Sequence, residues 1–210
     1  MMEFKKAKWI WLVALAGIVV IGDQVTKVAV KKSLAEPRQG LYSPPCDPDG
    51  KLEERTRFRS KPAVTVVDGF FHLRYVENCG GAFGFLSTQN EKYRRPFFYA
   101  TSLLATIFLL YLFVRIGPKE KILMVAFSLI LGGAIGNVID RVSVGYVVDF
   151  IEWHLREKYR WPTFNIADVG ITVGLVLILI DSFFLAKKRE PAEGTSGKKQ
   201  DGPKKKKKKS

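Results

Sequence analysis

Ile122-Leu-Met-Val-Ala-Phe-Ser-Leu-Ile-Leu-Gly-Gly-Ala-Ile-Gly-Asn-Val-Ile-Asp-Arg141 decides the fold class. Eighteen residues, 122–139, pass without a charge, and then an acid and a base arrive together. At 1.5 Å per residue such a run spans a hydrocarbon core of about 30 Å. It shows almost no polar stripe at helical period, as a soluble bundle helix would. Three further stretches read the same way, at 9–30, 97–114 and 166–186, with highly charged segments between them. The near-neutral average hydropathy therefore conceals segregation. An all-α membrane protein with four transmembrane helices is expected, its body a single domain over residues 1–186.

The first stretch follows Lys5, Lys6 and Lys8, as a cleavable leader would. It is too long for one and lacks a small-residue cleavage site, so a retained helix is expected. Four helices put both termini on one side. The basic start, the basic connection 115–121 and the lysine-rich end all favour the cytoplasm. The connections 31–96 and 141–165 then face outward. The first carries many basic residues, but loops beyond about 60 residues largely escape the charge rule.

The chain has 210 residues and a formal net charge of +14. Residues 187–210 hold eleven basic against three acidic residues, net +8, in a Pro/Gly/Ser/Lys setting that reads as a disordered cytoplasmic tail. Beside a membrane helix, a basic run marks the cytoplasmic face and meets anionic lipid; no nucleic acid is expected. Cys46 and Cys79 fall in the same outer loop, where a disulfide is open but not required by the sequence. No Cys/His cluster has metal spacing, so neither metal nor cofactor is expected.

The first outer loop divides in two. Residues 36–61 are rich in Pro, Gly and charge and read as irregular surface. In 63–85, Val64, Val66 and Val67, then Phe70, Phe71, Leu73, Tyr75 and Val76, are β-formers broken by Asp68-Gly69, a hairpin signal. A small extracytoplasmic sheet inserted between helices 1 and 2 is expected. Trp153, Tyr159 and Trp161 in the second outer loop suit an interfacial aromatic belt.

Polar groups gather at the outer ends of the apolar stretches. Asp23 and Lys27, four apart, share a helix face. Gly132, Gly133 and Gly136 have the spacing of close helix packing. Asn137 and Asp140 share a face, and Asp140 stands beside Arg141 as a candidate pair, with a substrate carbonyl or lipid ester as the alternative partner of Arg141. Asp149 and Asp168 flank the second outer loop, so both can reach one pocket. Each has a modest alternative, a helix cap for Asp149 and a first-turn charge for Asp168. Acids at membrane depth are costly and point by default to function. Two carboxylates meeting in a low-dielectric pocket suggest shared-proton chemistry on water. His72 and His154 are given no catalytic part, Glu152 is expected to be solvated, and Asp181 is expected to meet the basic tail.

Five blocks in order carry a resemblance: Asp23-Gln-Val-Thr-Lys27, Asn78-Cys-Gly-Gly-Ala-Phe-Gly84, Gly132 to Arg141, Val147-Val-Asp-Phe-Ile151 and Phe164-Asn-Ile-Ala-Asp168. Together they cover nearly the whole four-helix body, and the chain resembles bacterial lipoprotein signal peptidase, signal peptidase II. The resemblance implies an aspartic endopeptidase of the bacterial inner membrane, its site near the periplasmic face. The implied substrate is a diacylglyceryl-prolipoprotein, cut before the lipidated cysteine. The implied catalytic dyad is Asp149 and Asp168; Asp23, Lys27, Asn78, Gly80, Asn137, Asp140, Arg141 and Asn165 support or line the site. The sheet over 63–85 becomes the family's periplasmic cradle, and globomycin-type cyclic peptides become inhibitors. Nothing demands more than a monomer. Two departures stand out: Gly81 where the family usually has Ala, and 40–61, which reads as an insertion. Two rivals differ in what they predict. A channel or transporter would place charges at several depths, and a lipid-binding scaffold would make the aspartates dispensable.

Overall fold

The computed structural model describes residues 2–37, 58–81, 84–87, 89–155 and 159–185. Most of the expected insertion 40–61, with Cys46, and the tail 187–210 lie outside the described residues. Helix α1 spans Met2–Leu34, α2 Glu91–Arg115, α3 Lys121–Ser143 and α4 Ile166–Ile180, with a π-helical turn at Asp181–Leu185 closing the last. Among the described residues, four helices are long and apolar enough to cross a membrane, over Lys6–Leu34, Glu91–Arg115, Lys121–Ser143 and Ile166–Leu185.

Helix α3 is the central post. More than half of its spanning window is buried (56%), against 6% for α2, so α2 stands at the periphery. The glycines explain how α3 takes that place. A Cβ on Gly132 would stand 2.8 Å from the Ala16 carbonyl oxygen of α1. One on Gly136 would stand 2.7 Å from Asp23 Oδ2. Small residues let neighbouring backbones close on α3, as their spacing predicts.

The strands are β1 (Ala35–Pro37), β2 (Phe58–Ser60), β3 (Val64–Val67), β4 (Phe71–Asn78), β5 (Val147–Leu155) and β6 (Tyr159–Arg160). β1 and β2 pair with each other, and the larger sheet runs β3-β4-β5-β6, antiparallel throughout. The β3–β4 hairpin turns at Asp68-Gly69, with Gly69 in the left-handed region (φ 68°) that glycine enters without a Cβ penalty. Half of this sheet was not expected. β5 and β6 come from the connection between α3 and α4, so the sheet is more than an insert between helices 1 and 2. Trp153, Tyr159 and Trp161 are exposed as expected, but β5 carries Trp153 and β6 carries Tyr159.

Two apolar clusters mark the two ends of the bundle. Under the sheet lie Val30, Leu34, Tyr75, Tyr146, Val148 and Phe150. At the far end lie Leu12, Phe113, Ile116, Met124, Phe127 and Leu131. Beside the far cluster, buried Lys8 donates from Nζ to the carbonyls of Phe113 (3.2 Å), Val114 (2.8 Å) and Ile116 (3.3 Å). It thereby adds a donor to carbonyls at the end of α2, where backbone acceptors run short of helical partners.

One smaller expectation is corrected, and one alternative falls away. Glu152 is buried, because Arg74 (3.6 Å), Arg160 (3.8 Å) and His72 (3.9 Å) converge on its carboxylate. Asp181 is buried within the π-helical turn, and the tail it was expected to meet lies outside the described residues. Asp149 caps no helix; it sits inside β5.

Candidate active site

Asp149 reaches the site from the first half of β5, a run buried on both faces. Val76 of β4 is its cross-strand partner, which places Asn78 two residues further along the neighbouring strand. Asn78 Nδ2 donates to Asp149 Oδ2 at 2.9 Å, and Asn165 Nδ2 donates to Oδ1 at 2.6 Å. The carboxylate is almost wholly enclosed, at 1% exposure. Burial pushes Asp149 up to about 7, and the neighbouring Asp168 carboxylate adds to it. The hydrogen bonds from Asn78 and Asn165 and the pull of Lys27 work the other way. A carboxylate that titrates near neutrality is suited to proton transfer at physiological pH.

Asp168 enters from the first turn of α4. Asn165 is the N-cap: its side chain accepts from the Asp168 backbone N–H (3.0 Å), while Asp168 Oδ2 accepts from the Asn165 backbone N–H (3.3 Å). This is a capping box, which satisfies two donors at the helix start reciprocally. The other oxygen, Oδ1, accepts from Asn137 Nδ2 at 2.8 Å. Asp168 therefore stabilises a helix start through one oxygen and meets Asn137 through the other.

Asn165 links the two carboxylates. Its amide reaches Asp149 and also donates to Asn137 Oδ1 (3.2 Å) and the Val148 carbonyl (3.3 Å). Asn137 passes the link on, accepting from Lys27 Nζ at 3.1 Å. Lys27 is buried between Asp23 Oδ2 (2.7 Å) and Asp140 Oδ2 (2.9 Å). The expected Asp23–Lys27 pairing is present, and both acids have second tasks. Asp23 Oδ1 accepts the Ala167 N–H of α4 (2.9 Å), and Asp140 Oδ2 accepts the Val148 N–H of β5 (2.9 Å). The cluster thus fixes the starts of both elements that carry the aspartates.

Arg141 departs from expectation, because Asp140 is engaged by Lys27 and β5. Arg141 Nη2 instead donates to the Gly80 carbonyl at 3.1 Å, and its guanidinium lies 4.8 Å over the Phe98 ring. Gly80 N–H donates to Asn78 Oδ1 (3.0 Å), which orients the amide that meets Asp149. A Cβ on Gly80 would stand 2.5 Å from the Phe85 carbonyl, so only glycine fits this turn. Gln24 was missed: its Nε2 donates to Asp23 Oδ2 (3.1 Å), the Gly136 carbonyl (3.1 Å) and Asp140 Oδ1 (3.0 Å). Its place inside the Asp23–Lys27 block was the available signal. Cys79, between Asn78 and Gly80, is disulfide-bonded; the chain's other cysteine, Cys46, is not among the described residues.

The arrangement matches a known family along almost its whole length. The profile described as "Signal peptidase (SPase) II" covers residues 15–184. The chain belongs to the signal peptidase II family. Membership makes it a membrane-embedded aspartic peptidase that removes signal peptides from prolipoproteins. Among similar proteins, the lipoprotein signal peptidase of Syntrophotalea carbinolica is 40% identical over 176 residues, covering 84% of this chain and 92% of that one. That of Ralstonia nicotianae is 39% identical over 171 residues, covering 81% and 82%. A bacterial membrane enzyme solved in meso at 1.9 Å superposes with a TM-score of 0.62 and 31% identity, over 82% of this chain and 92% of that one. A second, at 2.3 Å, gives 0.60 and 30%, over 86% and 92%.

Proposed function

We propose that Asp149 and Asp168 are the catalytic pair of this signal peptidase II, hydrolysing the bond before the lipidated cysteine of diacylglyceryl-prolipoproteins. The supporting observation is the link through Asn165, which touches Asp149 with its side chain and Asp168 through the capping box.

Two close carboxylates in a poorly hydrated site hold one proton between them, because a second negative charge is repelled. The ionised member takes a proton from water, and the resulting hydroxide adds to the scissile carbonyl carbon. The protonated member donates a hydrogen bond to the carbonyl oxygen as negative charge develops there. Collapse breaks the C–N bond, and a proton passes to the departing cysteine amine. Water is thereby divided between the new carboxyl group and the new amine. Asn78, Asn137 and Asn165 hold the carboxylates in place. Arg141, through the Gly80 carbonyl, holds the turn that carries Asn78.

In this reading the sheet faces the periplasm, both termini lie in the cytoplasm of a bacterial inner-membrane protein, and the monomer is the working unit. Globomycin-type peptides would compete with substrate for the dyad. The test is cleavage of a purified diacylglyceryl-prolipoprotein in detergent by wild type, Asp149→Asn and Asp168→Asn. Asparagine preserves size but exchanges no proton. Each variant should fold and lose cleavage by about 10³-fold or more. Cleavage surviving in a folded variant removes that aspartate from the chemistry.

A further inference from the structure

We propose that Tyr75 and Tyr146 are positioning residues: their buried hydroxyl contact, continued to Glu77, locks the strand register in which Asn78 meets Asp149. The inference rests on the catalytic reading of Asp149 given above.

The β4–β5 ladder is irregular. Leu73 pairs with Ile151 and Val76 with Asp149, so three steps along β4 match two along β5. β4 therefore carries an extra residue at Arg74-Tyr75, a bulge. Beyond it, Val76, Glu77 and Asn78 oppose Asp149, Val148 and Val147. Paired residues share a sheet face and alternate residues return to it, so Asn78 stands with Val76 on the Asp149 face. Continued without the extra residue, the outer pairing would set Tyr75 opposite Asp149 and turn Asn78 to the other face. A ladder broken in this way does not carry its register across the break, so the inner pairs need a local tie.

The two tyrosines provide it. Tyr75 and Glu77 lie on the face of β4 opposite Asn78. Tyr146, one residue before β5, falls on that same face in the observed register and would fall on the other in the slipped one. The two tyrosine hydroxyl oxygens stand 3.2 Å apart, and Tyr75 donates to Glu77 Oε1 at 2.9 Å. The single proton of Tyr75 goes to Glu77, so Tyr146 donates to Tyr75. All three residues are buried, and both rings belong to the apolar cluster with Val30, Leu34, Val148 and Phe150. A hydroxyl stripped of its partner is costly in such surroundings. Burial, and then the Glu77 charge, push the Tyr75 hydroxyl up, so it remains a donor. Tyr146 in turn hangs on the end of α3, where the Val144 and Gly145 N–H groups donate to the Asp140 carbonyl (2.8 and 3.3 Å). The tie thus refers β4, and Asn78 with it, to the helix that carries Asn137.

The test compares wild type, Tyr75→Phe, Tyr146→Phe and Ser128→Ala in detergent by two readouts. One is the pH dependence of kcat on a diacylglyceryl-prolipoprotein. The other is the titration of the Asp149 carboxyl by infrared difference spectroscopy, assigned against Asp149→Asn. Asn78 favours the ionised form of Asp149, so losing the lock should raise both. Each phenylalanine variant should move the alkaline limb and the carboxyl titration up together, by about half to one pH unit, and lower kcat about three- to tenfold. Ser128→Ala removes a buried hydroxyl within α3 and should move neither. In an Asn78→Ala background, Tyr146→Phe should shift nothing further, because both changes act through one contact. Should one phenylalanine variant fail to fold, the other carries the comparison. Folded phenylalanine variants that titrate as wild type overturn the lock, and so does a further shift in Asn78→Ala. Cleavage by Asp149→Asn would overturn the catalytic reading instead; the infrared titration of Asp149 would still decide the lock.

Discussion

Helix α1 buries two lysines, Lys8 and Lys27, roughly 28 Å apart along its axis at 1.5 Å per residue. Both are nearly inaccessible, at 5% and 3%, yet their surroundings differ in kind. Lys8 meets three main-chain carbonyls at the end of α2, far from the aspartates. Lys27 meets two carboxylates and an asparagine amide oxygen, and those partners hold the starts of α4 and β5. Burial alone therefore does not identify a functional lysine. What a lysine's partners hold is the better guide, and it is the ground on which Lys27 is proposed to support the site.

The largest effect should come from Lys27→Met. It leaves Asp23 and Asp140 buried without their cation, a situation worth about 3–5 kcal/mol when one partner of a buried pair is removed. Chemical unfolding in detergent should record that loss, and cleavage should fail even at temperatures where the variant is folded. Full activity in folded Lys27→Met would reduce Lys27 to the status of Lys8.

Lys8→Met should cost about 1–3 kcal/mol, the penalty of leaving buried acceptors unpaired. Cleavage per folded molecule should stay unchanged, measured at a temperature where both proteins are folded. A loss of turnover at constant folding would erase the contrast between the two ends.

Asn78→Ala sharpens the contrast through pH. The native Asp149 holds its proton up to about 7, so activity should fall above that pH as the pair loses its shared proton. Asn78 favours the charged form, so removing it should move the alkaline limb of kcat to higher pH while lowering the maximum. An unmoved limb would show that Asn78 positions nothing at Asp149. Stability carries the same sign. A raised carboxylate pKa favours the protonated folded state, so this group's contribution declines as pH rises from about 3.9 through about 7.

Gly81→Ala should change least. The added Cβ would meet the Phe98 ring edge at 3.2 Å, a flexible side chain that yields by a few tenths of an ångström. Cleavage should stay within about twofold of wild type, in the range of surface-like substitutions of about 0.5 kcal/mol.

The helices were legible because a spanning segment carries its own signal: length, and the absence of charge. Asp23 and Lys27 were legible as a pair because helical period places them together. The β3–β4 hairpin was legible from Asp68-Gly69. β5 was not, for a physical reason. Its first four residues are buried on both faces, so the alternation that betrays a half-exposed strand is absent there. Its partner β4 lies about 70 residues earlier, and no local pattern encodes that pairing. The same limit hid the true partner of Arg141. Adjacency in sequence suggested Asp140, but neighbouring helical residues do not face each other, and the Gly80 carbonyl came from a distant turn.

The capping box at Asn165 and Asp168 has a consequence for the life of the chain before it is finished. Asp168 reaches its geometry only when the turn 165–168 closes at the head of α4. A polypeptide still being synthesised, with three helices already threaded into the bilayer, carries Asp149 but no second carboxylate to share its proton. On the proposed dyad, activity arises only once α4 is in place, and a copy that stops before it should cleave no prolipoprotein.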